Sequence, residues 1–271
     1  MPSTAPTEGL LAELLALATE AARAAGDLLH AGRPADLGVT ATKSSPVDVV
    51  TEMDLASEKL LQELIAERRP ADGYLGEEGT DRPGTSGVRW VVDPLDGTVN
   101  YLYGLPSWGV SVAAELHGEA VVGVVAVPAR GELFHAVRGG GAHLDGRPLT
   151  VRPAPPWGQA LVATGFNYVQ AVRTHQARVL LSLMPEVRDI RRGGAAAVDL
   201  CDLAAGRLDA YYERGLKPWD SAAGALVARE AGALVGGRPG RPEDGDLTVA
   251  GAPGVFEPLQ ERLEGLGAWH D

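Results

Sequence analysis

Apolar residues recur at helical spacing near the start of the chain. Leu10, Leu14, Leu17, Ala21, Ala25 and Leu28 fall on one stripe, which predicts a helix from Leu10 to Leu29. Gly32 and Pro34 stand where such a helix would end. A loop through Lys43-Ser44-Ser45-Pro46 leads to a short strand at Val47-Asp48-Val49-Val50. A second helix follows from about Leu55 to Arg68, with Leu60, Leu61, Leu64 and Ile65 facing inward. Thr51 and Asp54 have the spacing of a capping box for this helix, so Asp54 has a structural role open to it beside any catalytic one.

Further on, the period changes from helical to alternating or continuous. Tyr74-Leu75-Gly76 reads as a short strand ending in Glu77-Glu78, and a Gly/Pro/Ser loop spans 79–87. Trp90-Val91-Val92 reads as a buried strand that runs into Asp93 and is stopped by Pro94. Gly109 to Leu116, Ala120 to Val127 and Leu133 to Val137 form an antiparallel meander, with Gly139-Gly140-Gly141 as a turn. Pro153-Ala154-Pro155-Pro156 divides the chain into lobes of 1–152 and 153–271 within one globular unit. Beyond it, strands near 160–164, 187–191, 208–212 and 247–250 alternate with helices near 171–183, 195–205, 220–231 and 258–266. The pattern as a whole is that of an α/β or α+β protein.

Composition narrows the function classes. At 271 residues, with 45% apolar and 22% charged, the chain has ample core for a globular enzyme. With 36 acidic against 24 basic residues, the net charge of −12 argues against nucleic acid as a partner. It also means that an anionic substrate would need local positive charge, which a bound metal supplies. Cys201 stands alone, which excludes an internal disulfide and a thiolate metal cluster. No apolar run approaches the ~20 residues of a membrane span, so no membrane partner is expected. Met1-Pro2-Ser3-Thr4 has no basic region followed by an apolar core, so a cytoplasmic protein is expected.

The chemistry concentrates in Trp90-Val91-Val92-Asp93-Pro94-Leu95-Asp96-Gly97-Thr98. Asp93 and Asp96 stand three apart in a rigid loop, where both carboxylates can face one point, and two such anions repel each other unless cations lie between them. Trp219-Asp220 opens a helix, where an Asp is commonly an N-cap worth ~1 kcal/mol. With Asp93, Asp96 and Glu77 in view, it also reads as a further ligand. The six histidines are scattered with no i, i+4 pair, and none is assigned to metal.

Four features occur in order: Lys43-Ser44-Ser45-Pro46 to Thr51-x-x-Asp54, Gly76-Glu77-Glu78, Asp93-Pro94-Leu95-Asp96-Gly97-Thr98, and Trp219-Asp220. Together with Arg191-Arg192-Gly193-Gly194-Ala195-Ala196 and Asp209-Ala210-Tyr211-Tyr212-Glu213, they resemble the inositol monophosphatases, magnesium-dependent and lithium-sensitive phosphomonoesterases. The resemblance runs from the first helix to the last. It implies a layered αβαβα sandwich of the inositol monophosphatase and fructose-1,6-bisphosphatase type, usually a homodimer. It implies two or three Mg²⁺ ions per site, with Mn²⁺ a possible substitute. Glu77, Asp93 and the carbonyl of Leu95 resemble the ligands of one ion, and Asp93, Asp96 and Asp220 those of a second. The lobe 1–152 would supply Glu77, Asp93 and Asp96, and the lobe 153–271 Asp220 and Glu213. Thr98 and Asp54 resemble the pair that orients the attacking water, with Glu77 beside them as a catalytic residue. Gly97 and Thr98 would hold the phosphate at a helix start. Glu213 and the backbone at Gly194 to Ala196 would contact the substrate's hydroxyls, and Asp220 would also be among the substrate-binding residues. Val99 and Tyr101 stand where many members have threonine and phenylalanine, which bears on the mouth of the site.

The reaction implied is hydrolysis of a small polyol phosphate, myo-inositol monophosphate first, by water without a covalent intermediate. Histidinol phosphate and fructose 1,6-bisphosphate are alternatives on the same fold. An aspartyl-phosphate mechanism wants Asp-x-Asp, whereas this chain has Asp-x-x-Asp with Pro94 between. No Gly-x-Ser-x-Gly marks a serine hydrolase. A metal-stabilised regulatory binding protein is the non-enzyme alternative, against which the full ligand set and the Thr98/Asp54 pair argue.

Overall fold

The computed structural model describes residues 6–34, 37–43 and 49–269. The elements are α1 (Glu8–Gly32), β1 (Ala41–Thr42), β2 (Val49–Val50), α2 (Glu52–Arg68), β3 (Gly73–Gly76), β4 (Asp81–Arg82) and β5 (Val88–Asp96). They continue with α3 (Thr98–Leu102), β6 (Gly109–Leu116), β7 (Glu119–Val127), β8 (Glu132–Val137), β9 (Gly141–Leu144) and β10 (Arg147–Pro148). The remainder comprises β11 (Leu161–Thr164), α4 (Gln170–Leu183), β12 (Asp189–Arg191), α5 (Ala196–Ala204), β13 (Ala210–Glu213), α6 (Pro218–Glu230), β14 (Leu234–Gly236), β15 (Thr248–Gly251) and α7 (Phe256–Gly265).

Which side chains share a core sets the order of layers. Leu14, Leu17, Ala21 and Ala25 of α1, with Leu61 and Ile65 of α2, pack on Trp90, Val92, Val110 and Val112 of one sheet. The opposite face of that sheet, through Val91, Ala113 and Val125, meets Ala197, Val198 and Cys201 of α5 and Ala223, Leu226 and Val227 of α6. The far sides of α5 and α6, through Leu200, Leu203, Ala225 and Ala228, rest on Ala163, Tyr211 and Ala250 of a second sheet. That sheet's outer face, through Val162, Ala210 and Val249, is covered by Val179 and Leu183 of α4 and Leu259 and Leu263 of α7. The result is the expected αβαβα sandwich. The first sheet runs β10-β9-β8-β7-β6-β5-β3-β4, antiparallel except for β3 beside β5. The second runs β12-β11-β13-β15-β14, parallel from β12 to β13 and antiparallel beyond.

The middle layer explains the run of small residues in α5 and α6. Both helices are enclosed between two sheets, and at Gly224 even a Cβ would lie 2.9 Å from that of Leu200 and 3.0 Å from the carbonyl of Ala197. Burial on both faces also explains why β5 and β6 read as continuous apolar runs.

The structure corrects several sequence expectations. Pro94 does not stop its strand. β5 continues to Asp96, which pairs with Gly109, while Pro94 and Leu95 together oppose the single residue Val110. A bulge tolerates proline because the ladder is already interrupted there. The triple glycine is the expected turn, joining β8 to β9, and what the sequence pattern missed is the short hairpin β9–β10 beyond it. α2 begins at Glu52 rather than near Leu55, since Thr51 is its N-cap and Asp54 its third residue. Of the strand expected at Val47 to Val50, only Val49–Val50 is found, and 44–48 lie outside the described residues. Among the described residues no helix is long and apolar enough to cross a membrane.

Candidate active site

The β5 bulge builds the site. Residues three apart on a regular strand point to opposite faces, and the one extra residue between Asp93 and Asp96 returns both carboxylates to the same side. Asp93 is 2% exposed, and its Oδ1 accepts the Leu95 N–H at 3.0 Å. Asp96 meets the first turn of α5, its Oδ1 accepting the Ala196 N–H at 3.2 Å and its Oδ2 that of Ala197 at 2.8 Å. These amides have no partner within their own helix, so a carboxylate suits them. Asp220 is the third residue of α6 and accepts the Lys217 N–H at 2.7 Å. The capping role expected from sequence is therefore real, and it does not draw Asp220 away from the other acids. Glu77 leaves the end of β3, with its Oε1 2.8 Å from Lys43 Nζ.

These groups also act on one another through their charges. Burial raises the Asp93 pKa well above its ordinary value, and the charges of Glu77, Asp96 and Asp220 raise it further. Asp96 is pushed up to about 7 by burial, against the pull of the Ala197 N–H and with the added push of Glu77 and Glu213. Asp220 is raised by burial, Glu77, Asp96 and Glu213, with only the Lys217 N–H opposing. Four carboxylates therefore share one field. Among the described residues no three of them are already drawn on to a single coordination point. Their chemistry nonetheless fits a hard divalent cation: every donor is oxygen, no sulfur or imidazole intrudes, and the mutual repulsion is what such an ion would relieve. The Leu95 carbonyl accepts the Thr98 hydroxyl at 3.1 Å and keeps a second lone pair.

Asp54 serves two partners, one on each oxygen. Its Oδ2 accepts the Thr51 N–H at 2.8 Å and the Thr51 hydroxyl at 2.5 Å, and its Oδ1 accepts the Thr98 hydroxyl at 2.8 Å. Burial raises its pKa, the hydrogen bonds from Thr51 and Thr98 lower it, and Glu77 adds a smaller upward push. Gly97 turns β5 into α3 at φ 88°, in the left-handed region. A side chain there would be strained, and its Cβ would lie 3.0 Å from the Ser107 carbonyl and 3.1 Å from the Ala195 methyl group.

The expected substrate wall lies on α5 and β13. Gly194 precedes α5 and Glu213 ends β13. Tyr211 donates its hydroxyl to Glu213 Oε2 at 2.6 Å, and the Glu213 carboxylate covers Gly165, where any side chain would collide with it. The Ala196 amide already donates to Asp96, which leaves its carbonyl and methyl group for any substrate contact. Tyr101 is not at the mouth. It is fully buried and donates its hydroxyl to the Leu29 carbonyl at 2.7 Å, so it belongs to the core beneath the site.

Sequence reasoning passed over several residues near the site. Lys43 bridges Glu77 and Glu78. Glu58, 3% exposed, accepts the Glu78 N–H at 2.8 Å. Asn100 donates to the carbonyls of Ser107 at 2.5 Å and Gly193 at 2.8 Å, tying α3 to the turn before α5. Asp199, inside α5, is pushed up to about 8 by burial, Asp96 and Glu213. Two of these had a visible signal: Lys43 heads the Lys43-Ser44-Ser45-Pro46 segment, and Asp199 is an acid inside the apolar run Ala195-Ala196-Ala197-Val198-Asp199-Leu200-Cys201. A cleft of about 710 Å³ between the β6–β7 turn and the outer face of α6 contains none of the four acids and is not the site.

The model of the inositol monophosphatase family matches residues 10–264. The chain belongs to the inositol monophosphatase family. It is 46% identical over 238 residues to the inositol-1-monophosphatase of Mycobacterium bovis, covering 84% of this chain and 82% of that protein. It is 39% identical over 256 residues to the Nus factor SuhB of Pasteurella multocida, covering 93% and 96%. The crystal structure of the extragenic suppressor protein suhB from Bartonella henselae superposes with a TM-score of 0.87 at 35% identity, over 93% of this chain and 98% of that one. The inositol monophosphatase family acts on small phosphate monoesters and is generally metal-dependent, and the chain is an enzyme of this phosphatase family.

Proposed function

We propose that the enzyme hydrolyses a small polyol phosphate, myo-inositol monophosphate by preference, with Mg²⁺ as cofactor and water as the direct nucleophile. The observation that carries this reading is the β5 bulge that turns Asp93 and Asp96 to one side, within the electrostatic influence of Glu77 and Asp220, with the Thr98–Asp54 hydrogen bond at the start of α3. Glu77, Asp93 and the Leu95 carbonyl would hold one ion, and Asp93, Asp96 and Asp220 another. When bound, the ions supply positive charge to the phosphoryl oxygens and the leaving alkoxide, and they acidify water. Such help is needed, because enzymes accelerate phosphate-monoester hydrolysis by up to ~10²¹-fold, whereas a positioned general base gives only ~10²–10⁴.

The chain's own groups do the rest. Thr98 lies within hydrogen-bond reach of Asp54 and can pass on a proton taken from water, which Asp54 Oδ1 is placed to accept. The amides at Gly97 and Thr98 begin α3 and lack carbonyl partners within it, which suits them to phosphate oxygens. Glu213 reads ring hydroxyls, since a carboxylate beside a phosphate would repel it. The reading includes a homodimer, with the exposed Tyr103 and Leu105 as apolar surface available to it. Net charge of −12 weighs against direct contact with a nucleic-acid backbone, and an RNA gel shift tests that expectation against the relatives named Nus factor.

A screen with Mg²⁺ across inositol 1-phosphate, histidinol phosphate and fructose 1,6-bisphosphate tests the substrate. The highest kcat/KM on inositol 1-phosphate is expected, and a clear preference for either competitor reassigns it. Trapping with labelled phosphate tests the nucleophile, since a labelled protein carrying phosphoaspartate would contradict direct attack by water.

A further inference from the structure

The inward stripe of α2 changes character along its length. Leu61 and Ile65 join the core beneath the first sheet, which fixes where the helix lies. Nearer its start, on the same i, i+3, i+4 face, stand Asp54, Ser57 and Glu58, which are 0%, 0% and 3% exposed. Each bonds a different segment of the site. Asp54 accepts the Thr98 hydroxyl at the start of α3. Ser57 donates its hydroxyl to the Pro94 carbonyl at 2.8 Å, where the β5 bulge interrupts the ladder. Glu58 Oε2 accepts the Glu78 N–H at 2.8 Å, and its Oε1 accepts the Gln62 amide at 2.9 Å. Gln62 in turn reaches the Thr80 hydroxyl, just beyond the acidic pair.

These bonds act on backbone. The Glu77 N–H donates to the Val92 carbonyl of β5 at 3.3 Å, and the next N–H, that of Glu78, is held by Glu58. With the peptide groups on both sides of Glu77 fixed, the origin and direction of its Cα–Cβ bond are fixed too. So close an approach needs glycine before Glu77, since a Cβ on Gly76 would lie 2.7 Å from the Glu58 carboxylate. Adjacent residues of one stiff helix thus hold the Glu77 turn and the β5 bulge at a set separation. Mg²⁺ demands near-ideal octahedral geometry at about 2.0–2.1 Å, whereas Ca²⁺ accepts irregular geometry at about 2.3–2.6 Å. We infer that Ser57 and Glu58 are positioning residues for the metal site: from α2 they hold the turn that carries Glu77 and the bulge that carries Asp93 at the spacing a small ion requires. The inference rests on the reading of Glu77, Asp93 and the Leu95 carbonyl as ligands of one ion.

Calorimetric titration of metal-stripped protein with Mg²⁺ and with Ca²⁺, beside thermal midpoints in EDTA, tests this. Glu58→Ala removes both acceptors, and its Mg²⁺ affinity should fall by ~10-fold or more, with a smaller loss for Ca²⁺. Glu58→Gln keeps an oxygen for the Glu78 N–H, and Gln62 can turn its amide to accept from the new NH₂ group. Most of the Mg²⁺ affinity should therefore return in this variant. Ser57→Ala is the milder change, and it should weaken Mg²⁺ several-fold in the same direction. If Glu58→Ala does not fold, Ser57→Ala and Glu58→Gln decide by the same comparison. Lowered midpoints in EDTA with Mg²⁺ affinity unchanged would make both residues ordinary parts of the fold and overturn the inference. Equal loss in Glu58→Gln and Glu58→Ala would overturn it as well, since charge rather than position would then be what the site needs. No Mg²⁺ binding by the parent protein would overturn the ligand assignment itself, and the positioning role with it.

Discussion

Thr98 donates its hydroxyl to Asp54 Oδ1 at 2.8 Å across 44 residues of sequence, while the other oxygen of the same carboxylate caps α2 through Thr51. Capping and catalysis are therefore not alternatives for Asp54, because each oxygen has its own task. The cap fixes the carboxylate, and a fixed carboxylate presents Oδ1 to Thr98 without cost in side-chain freedom.

This arrangement predicts how variants divide. Asp54→Asn can keep its carbonyl oxygen toward the Thr51 N–H and so keep the reciprocal bond of the capping box, since a neutral amide oxygen also accepts at this third helical position. The amide nitrogen then faces Thr98 and cannot take a proton. The kcat of Asp54→Asn and of Thr98→Ala should each fall by ~10²–10⁴ with Mg²⁺ affinity nearly unchanged. The double variant should be little worse than either, because members of one unit are non-additive. Multiplicative losses in steady-state kinetics would separate the pair.

The buried acids set a pH dependence for the metal-free protein. Asp96 titrates near 7 when folded, raised first by burial, and Glu78 near 7 for the same leading cause. Unfolded carboxyls titrate near ~4. A raised folded pKa contributes stability that is fully present below the unfolded value and lost as pH rises through the folded one. The thermal midpoint in EDTA should accordingly fall between pH ~4 and ~7. Asp96→Asn should flatten this fall. Ala196 and Ala197 donate to different oxygens of Asp96, so Asn in the same place sets its NH₂ against one of these amides, which costs ~1 kcal/mol at low pH, while relief of repulsion offsets that loss at high pH. Activity of this variant should collapse at low millimolar Mg²⁺. Wild-type turnover, or a pH slope as steep as the parent's in thermal melts, would remove Asp96 from the cluster.

Glu213 tests the substrate wall. Its carboxylate is positioned by Tyr211 and lies over Gly165, on the side of the site facing Asp96. Glu213→Gln should change the ranking among inositol, sugar and histidinol phosphates and spare hydrolysis of p-nitrophenyl phosphate, which has no ring hydroxyls to read. Equal loss on all substrates, measured as kcat/KM, would place Glu213 with the catalytic groups instead.

Much of this was legible in the sequence for reasons of local spacing. The Thr51/Asp54 box, the acids around Gly97 and the small residues of α5 and α6 are each short-range patterns. What escaped depended on partners far away along the chain. Pro94 reads as a strand stop until β6 is seen to skip a residue opposite it, and only that bulge turns Asp93 and Asp96 to one side. Tyr101 reads as a variable position at the mouth until its hydroxyl is found on the Leu29 carbonyl. Lys43 is legible only as the first residue of the Lys43-Ser44-Ser45-Pro46 segment, and its pairing with Glu77 and Glu78 from a separate strand end is not. Asp220 capping its own helix is local and was read correctly, whereas its approach to Glu77 is not.

The central claim is metal-dependent hydrolysis of a phosphate monoester at the four-acid cluster. Release of inorganic phosphate from myo-inositol 1-phosphate, measured on EDTA-stripped protein before and after adding back Mg²⁺, tests it most directly. Turnover should be absent in the stripped protein, return with Mg²⁺, and fail to return in Asp93→Asn, whose removed charge is shared by both proposed ion sites. Phosphate release that persists in EDTA, or that returns fully in Asp93→Asn, would contradict the account.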